Sequence, residues 1–172
     1  MTTAASVVVV RRSIGHNNQG GGGLVNRHAV NDLIECSLQR WYRTVSEWRG
    51  PVGGTATGCV ACRASEFAVF DRQGQWPHDL LHSLVETLEL VSMQLAVALH
   101  EDRHCTGESG RATAPCDTCA AEARSTVSAR AHRHGQDIID VINECAIPRL
   151  AAYVEKNANL ALNAATRGEW AS

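Results

Sequence analysis

Aromatic side chains are scarce: two Phe, two Tyr and four Trp make up 5% of 172 residues. Strands favour aromatic and β-branched residues. A core left to Leu, Val, Ile and Ala therefore points to packed helices rather than a β-sandwich. A basic excess is missing as well. Lys and Arg number 16 against 18 Asp and Glu, the formal net charge is −2, and Lys156 is the single lysine. Binding through nucleic-acid phosphates draws its affinity from such an excess, so the charge balance weighs against that class. No unbroken apolar run approaches the roughly 18 residues of a membrane span, and no membrane association is expected. The opening MTTAASVVVVRRSIG has four valines before Arg11 and no positive region ahead of them. That is too short for the apolar stretch of a secretory signal, so a cytoplasmic location is expected.

Familiar catalytic arrangements are also lacking. There is no G-x-S-x-G elbow and no H-E-x-x-H helix. Pro115-Cys116-Asp117-Thr118-Cys119 spells the P-C-x-x-C half of a deaminase signature, but no His-x-Glu precedes it. Glu101 and His104 form one E-x-x-H unit where a di-iron bundle needs two. The sequence thus leans away from an enzyme.

Cysteine, by contrast, is plentiful: Cys36, Cys59, Cys62, Cys105, Cys116, Cys119 and Cys145. An odd count in a reducing compartment argues against a complete disulfide framework. Two C-x-x-C pairs, Cys59/Cys62 and Cys116/Cys119, point instead to metal or thiol chemistry.

Along the chain, residues 1–26 read as a flexible N-terminal arm ending in the glycine run Gly20–Gly23. Residues 27–172 read as a single helical domain. Val30, Leu33, Ile34, Leu38, Trp41, Val45 and Trp48 recur at three- and four-residue steps and predict a helix that Gly50-Pro51 ends. Residues 50–76 break this pattern. CVAC is a metal-knuckle candidate, and SEFAVFD alternates like a short strand, with Phe67 and Val69 on one face and Ala68 and Phe70 on the other. Pro77 then opens the strongest helix, with a spine of Leu80, Leu84, Leu88, Val91, Leu95 and Leu99. Helix resumes near Cys116, and after Gly135 a last helical segment should kink or split at Pro148. The expected fold is mainly α: a bundle of four to five helices with a small cysteine-containing β/loop insertion, stabilised by zinc.

Zinc takes four tetrahedral ligands, and two thiolates of a C-x-x-C turn reach one ion. Cys116 and Cys119 stand at a helix start, where backbone N–H groups and the helix dipole favour thiolate. In a helical hairpin they face the end of the preceding helix. The leading expectation is therefore a site of Cys105, Cys116 and Cys119 with His100 or His104. The competing expectation joins Cys59 and Cys62 to Cys116 and Cys119 across 53 intervening residues. His78 and His82, four apart, are expected to be solvent-facing or capping, and Cys36 and Cys145 to pack as small hydrophobes. His132-Arg133-His134 reads as a polar helix end.

A metal-pinned bundle without a catalytic constellation reads as an interaction or regulatory module with a protein partner. A nucleic-acid-binding regulator using Arg11, Arg12, Arg124, Arg130 and Arg133 is the alternative. The third reading is a thiol-disulfide oxidoreductase at Cys116/Cys119. It lacks the buried strand of a thioredoxin before the motif, and has Ala123 where helical thiol enzymes place His.

Overall fold

A computed structural model of the chain describes residues 27–51, 59–104 and 114–166. The N-terminal arm, Cys105 and its loop lie outside these residues. The first helix, α1 (Arg27–Glu47), buries the stripe expected of it: Val30, Ile34, Leu38, Trp41 and Val45, followed by Trp48 beyond its end. Gly50 stops the chain in a left-handed conformation at φ 127°, where a side chain is strained. The Tyr153 ring lies 3.1 Å from where a Cβ on Gly50 would sit. The last carbonyls of α1 lack helical partners, as at any helix C-terminus. Arg149 supplies one, its Nη1 donating to the oxygens of Val45, Ser46 and Trp48 at 3.3, 2.6 and 2.9 Å. A cation at this dipole end is favourable, so Arg149→Met should lower unfolding free energy by about 1–2 kcal/mol in urea denaturation.

After Cys59 comes a single helical turn, α2 (Val60–Ala64), and then a 3-10 helix, Glu66–Phe70. This corrects the short strand expected from SEFAVFD. Residues three apart eclipse in a 3-10 helix, so Phe67 and Phe70 both enter the core while Val69 stays exposed. The β insertion is absent among the described residues. Ser65 caps the turn, its Oγ accepting from the Phe67 N–H at 3.3 Å and donating to Glu89 Oε1 at 3.1 Å.

The long helix α3 (His78–His104) buries the whole leucine-rich spine. By length and average hydropathy α3 would suffice to cross a membrane. Here its spine is covered by the other helices. Helix α4 (Asp117–Arg133) returns along it with Cys119, Ala123, Val127 and Ala131 fully buried. Small side chains at that spacing let two helix axes approach closely. Polar pairs line the seam: Arg103 grips Glu122 with two N–H donors, one at 2.7 Å, and Arg124 meets Glu89 at 3.2 Å and Glu66 at 3.5 Å.

His134 turns the chain into α5 (Gly135–Val141), a π turn over Ile142–Ala146, and α6 (Ile147–Thr166). Proline was expected to kink or split this segment. The π turn is how the chain accommodates it. Pro148 has no N–H and its ring would strike the carbonyl four residues back, and the Ile147 N–H bonds to Ile142 O in the wider register just ahead of it. One core cluster joins α1, the 3-10 turn, α3, α4, α5 and the π turn. Beyond Leu150, α6 leaves this core, and positions 151–163 are all exposed.

Candidate metal centres

Two tryptophans of the α1 end hold the first turns of α3 in place. Trp41 Nε1 donates to Leu80 O at 3.2 Å and Ser83 Oγ at 3.0 Å, and Trp48 Nε1 donates to Asp79 Oδ2 at 2.6 Å. On this anchored turn, His78 and His82 share one face, their rings stacked with centroids 5.5 Å apart. The α2 turn lies against that face. Cys62 is buried at 1% exposure, and its Sγ sits 3.0 Å from His82 Nδ1 and 3.8 Å from His78 Nε2. Cys59, just before α2, completes the group, and the four donor atoms all lie within 4.8 Å of one another.

A tetrahedral ion with bonds of about 2.3 Å to sulfur and 2.0 Å to nitrogen separates its ligands by roughly 3.3–3.8 Å. The cluster brackets that spacing and needs to contract by at most about 1.5 Å at its widest pair. His82 is also oriented as a ligand should be. Its Nε2 lies 3.0 Å from Glu86 Oε1, so a proton on Nε2 serves the carboxylate and leaves the Nδ1 lone pair facing sulfur. Two thiolates, two neutral imidazoles and a divalent cation sum to zero charge, which suits a half-buried site.

The thiols are already differentiated. A hydrogen bond with His78, then the backbone N–H of Cys62, pulls the Cys59 thiol down to about 6. Burial, then neighbouring Cys59, pushes Cys62 up to about 11. A cation held by both sulfurs would displace the proton retained on the buried Cys62 thiol.

A second cluster stands near the other end of α3. His100, Cys116 and Cys119 place their donor atoms within 4.8 Å of one another. His100 Nδ1 accepts from the Cys116 backbone N–H at 3.3 Å. The N–H of Cys119 lowers the Cys116 thiol, whereas burial raises Cys119. Three residues of the expected hairpin site are thus gathered. Cys105 lies outside the described residues, as does the side chain of His104.

The geometry separates the two knuckles. His78 and His82 precede His100 by 22 and 18 residues on one helix, or about 27–33 Å along its axis. One ion cannot reach both C-x-x-C pairs, and Cys59/Cys62 meet His78/His82 rather than Cys116/Cys119. His78 and His82, expected to be solvent-facing or capping, are half-buried and also face the Cys62 sulfur. A signal for them existed: C-x2-C-x15-H-x3-H falls in the spacing range of Cys2His2 zinc sites. Cys36 is a further correction, being exposed. It stands two residues, or about 200°, from buried Ile34, on the far side of α1. Cys145 is half-buried and packs against the core. His132 lies at the polar end of α4, its ring 5.4 Å from that of Phe70.

Comparison with protein-family models, curated proteins and solved structures finds no match for this chain, so the reading of these centres rests on their own geometry.

Proposed function

We propose that this chain is a zinc-stabilised helical interaction module of the cytoplasm, whose metal ties the 59–70 segment to the start of α3. The observation that carries this reading is the convergence of Cys59, Cys62, His78 and His82 within 4.8 Å. Four protein donors close a tetrahedral site and leave no position for substrate, which is the pattern of structural rather than catalytic zinc. A protein partner is supported by α6, whose exposed length carries Val154, Leu160 and Leu162 at 55%, 54% and 64% exposure. Exposed apolar side chains along a helix that leaves the core are surface that a protein partner would cover.

The nucleic-acid alternative receives less support. Arg124, one of its three helix arginines, is engaged with Glu66 and Glu89. The arm arginines lie outside the described residues. Chromatography on immobilised duplex DNA separates the readings. The module reading expects no retention at low salt, while retention that falls steeply as salt rises would favour the nucleic-acid reading. For the metal, protein purified without chelator should carry zinc that Cys105→Ser leaves in the first centre and Cys59→Ser removes from it.

A further inference from the structure

We propose that His100, Cys116 and Cys119 form a second metal centre, separate from the first, that takes zinc or a similar borderline-soft divalent ion through three protein donors. The donors come from two helices that the fold holds in register. Arg103, one turn after His100 on α3, and Glu122, one turn after Cys119 on the returning α4, clamp the two helices across the level of the donors through a two-pronged ion pair. Arg103 follows His100 by three residues and Glu122 follows Cys119 by three, so the clamp lies on the same faces as the donors. The seam beneath is closed by Leu99 and Ala123, both buried. Movement that would scatter the trio must therefore break packed contacts.

The donor chemistry is specific. Two sulfurs and one imidazole nitrogen suit zinc and disfavour magnesium or calcium, which take oxygen. Cys116 immediately precedes α4 and Cys119 lies in its first turn, where unpaired N–H groups stabilise the thiolates an ion requires. The His100 lone pair already points at this helix start, accepting from the Cys116 N–H at 3.3 Å. A cation between the sulfurs would replace that long hydrogen bond.

Among the described residues the first centre gathers four donors and this one three, which leaves one tetrahedral position here to a further ligand. Cys116 and His100 are half-buried and reachable from solvent. The second ion should therefore exchange faster than the first.

The test uses the full chain, purified under reducing conditions and reloaded with Zn2+, with metal per chain read by elemental analysis. Wild type should hold about two ions, and Cys116→Ser, His100→Asn and Cys59→Ser about one each. Cys116 and His100 are chosen because each is half-buried, and circular dichroism checks that the variants remain helical. Against a chromophoric chelator, wild type should release zinc in two phases, the faster one absent from Cys116→Ser. One ion in wild type that survives Cys116→Ser and His100→Asn but not Cys59→Ser would overturn the second centre and leave the first intact. Two ions retained in both Cys116→Ser and His100→Asn would also overturn it. Loss of one ion in those variants while Cys59→Ser keeps both would uphold this centre and remove the first.

Discussion

Cys62→Ser protein should melt roughly 8–16 °C below zinc-saturated wild type. The estimate follows from linkage. An ion that binds only the folded chain stabilises it by about 4 kcal/mol at a thousandfold excess over its dissociation constant. A chain of this length shifts by about 2–4 °C per kcal/mol. Cys62 is buried, so its loss also perturbs packing. Cys59→Ser, at a half-buried position, controls for this and should reproduce most of the drop. Zinc added to either variant should restore none of the first centre's share, whereas it should raise apo wild type by at least that share. The same stabilisation depends on pH in a defined direction. The Cys59 thiol is held at about 6, below its ordinary value, so the thiolate is available above that pH and is lost as pH falls through it. Zinc-dependent stabilisation should accordingly be present at neutral pH and fade below about 6, as protons compete for the donors.

Trp41→Ala should destabilise the fold by about 3–5 kcal/mol, the range for removing a buried aromatic side chain. Trp41 is 2% exposed and packs against Trp76 with ring centroids 6.5 Å apart. Its Nε1 also reaches Leu80 O and Ser83 Oγ. Trp41→Phe keeps most of the apolar volume and loses the donor, and should cost about 1 kcal/mol more than the lost area alone. Both variants should weaken zinc binding at the first centre without touching a ligand. Trp41 and Trp48 anchor the helical turn that carries His78 and His82, and loosening that turn raises the ordering needed to close the site. Equilibrium denaturation and a zinc competition titration on the same preparations separate the two effects. An unchanged zinc affinity in a destabilised Trp41→Ala protein would deny the anchoring role.

The long helices were legible because their apolar residues repeat at three and four over many turns. Val30 to Trp48 and Leu80 to Leu99 leave little choice of face once a helix forms. Short segments carry no such redundancy. F-A-V-F satisfies both a two-residue and a three-residue repeat, and tertiary packing decided for the latter by burying Phe67 with Phe70. Pro148 announced a disturbance, and the π turn before it is a relaxation that local sequence does not specify. Cys36 misled for a related reason: one apolar residue near a stripe can sit on the wrong side of it.

The metal residues divide in the same way. Cys116, Cys119 and His100 were visible as a group because a helical hairpin joins them through local contacts. His78 and His82 gain their meaning only from the knuckle upstream. Their significance depends on residues 59–64 folding back onto α3, which the 3-10 turn and the Phe67 and Phe70 anchors achieve. Spacing alone pointed to this partnership. Composition and periodicity did not.

Zinc K-edge X-ray absorption on the Cys116→Ser protein interrogates the first centre by itself. Two sulfur neighbours at about 2.3 Å and two nitrogen neighbours at about 2.0 Å are predicted, with imidazole outer-shell scattering that halves in a His82→Ala derivative. A first shell of nitrogen and oxygen without sulfur, or one unchanged by loss of His82, would contradict the Cys59–Cys62–His78–His82 centre.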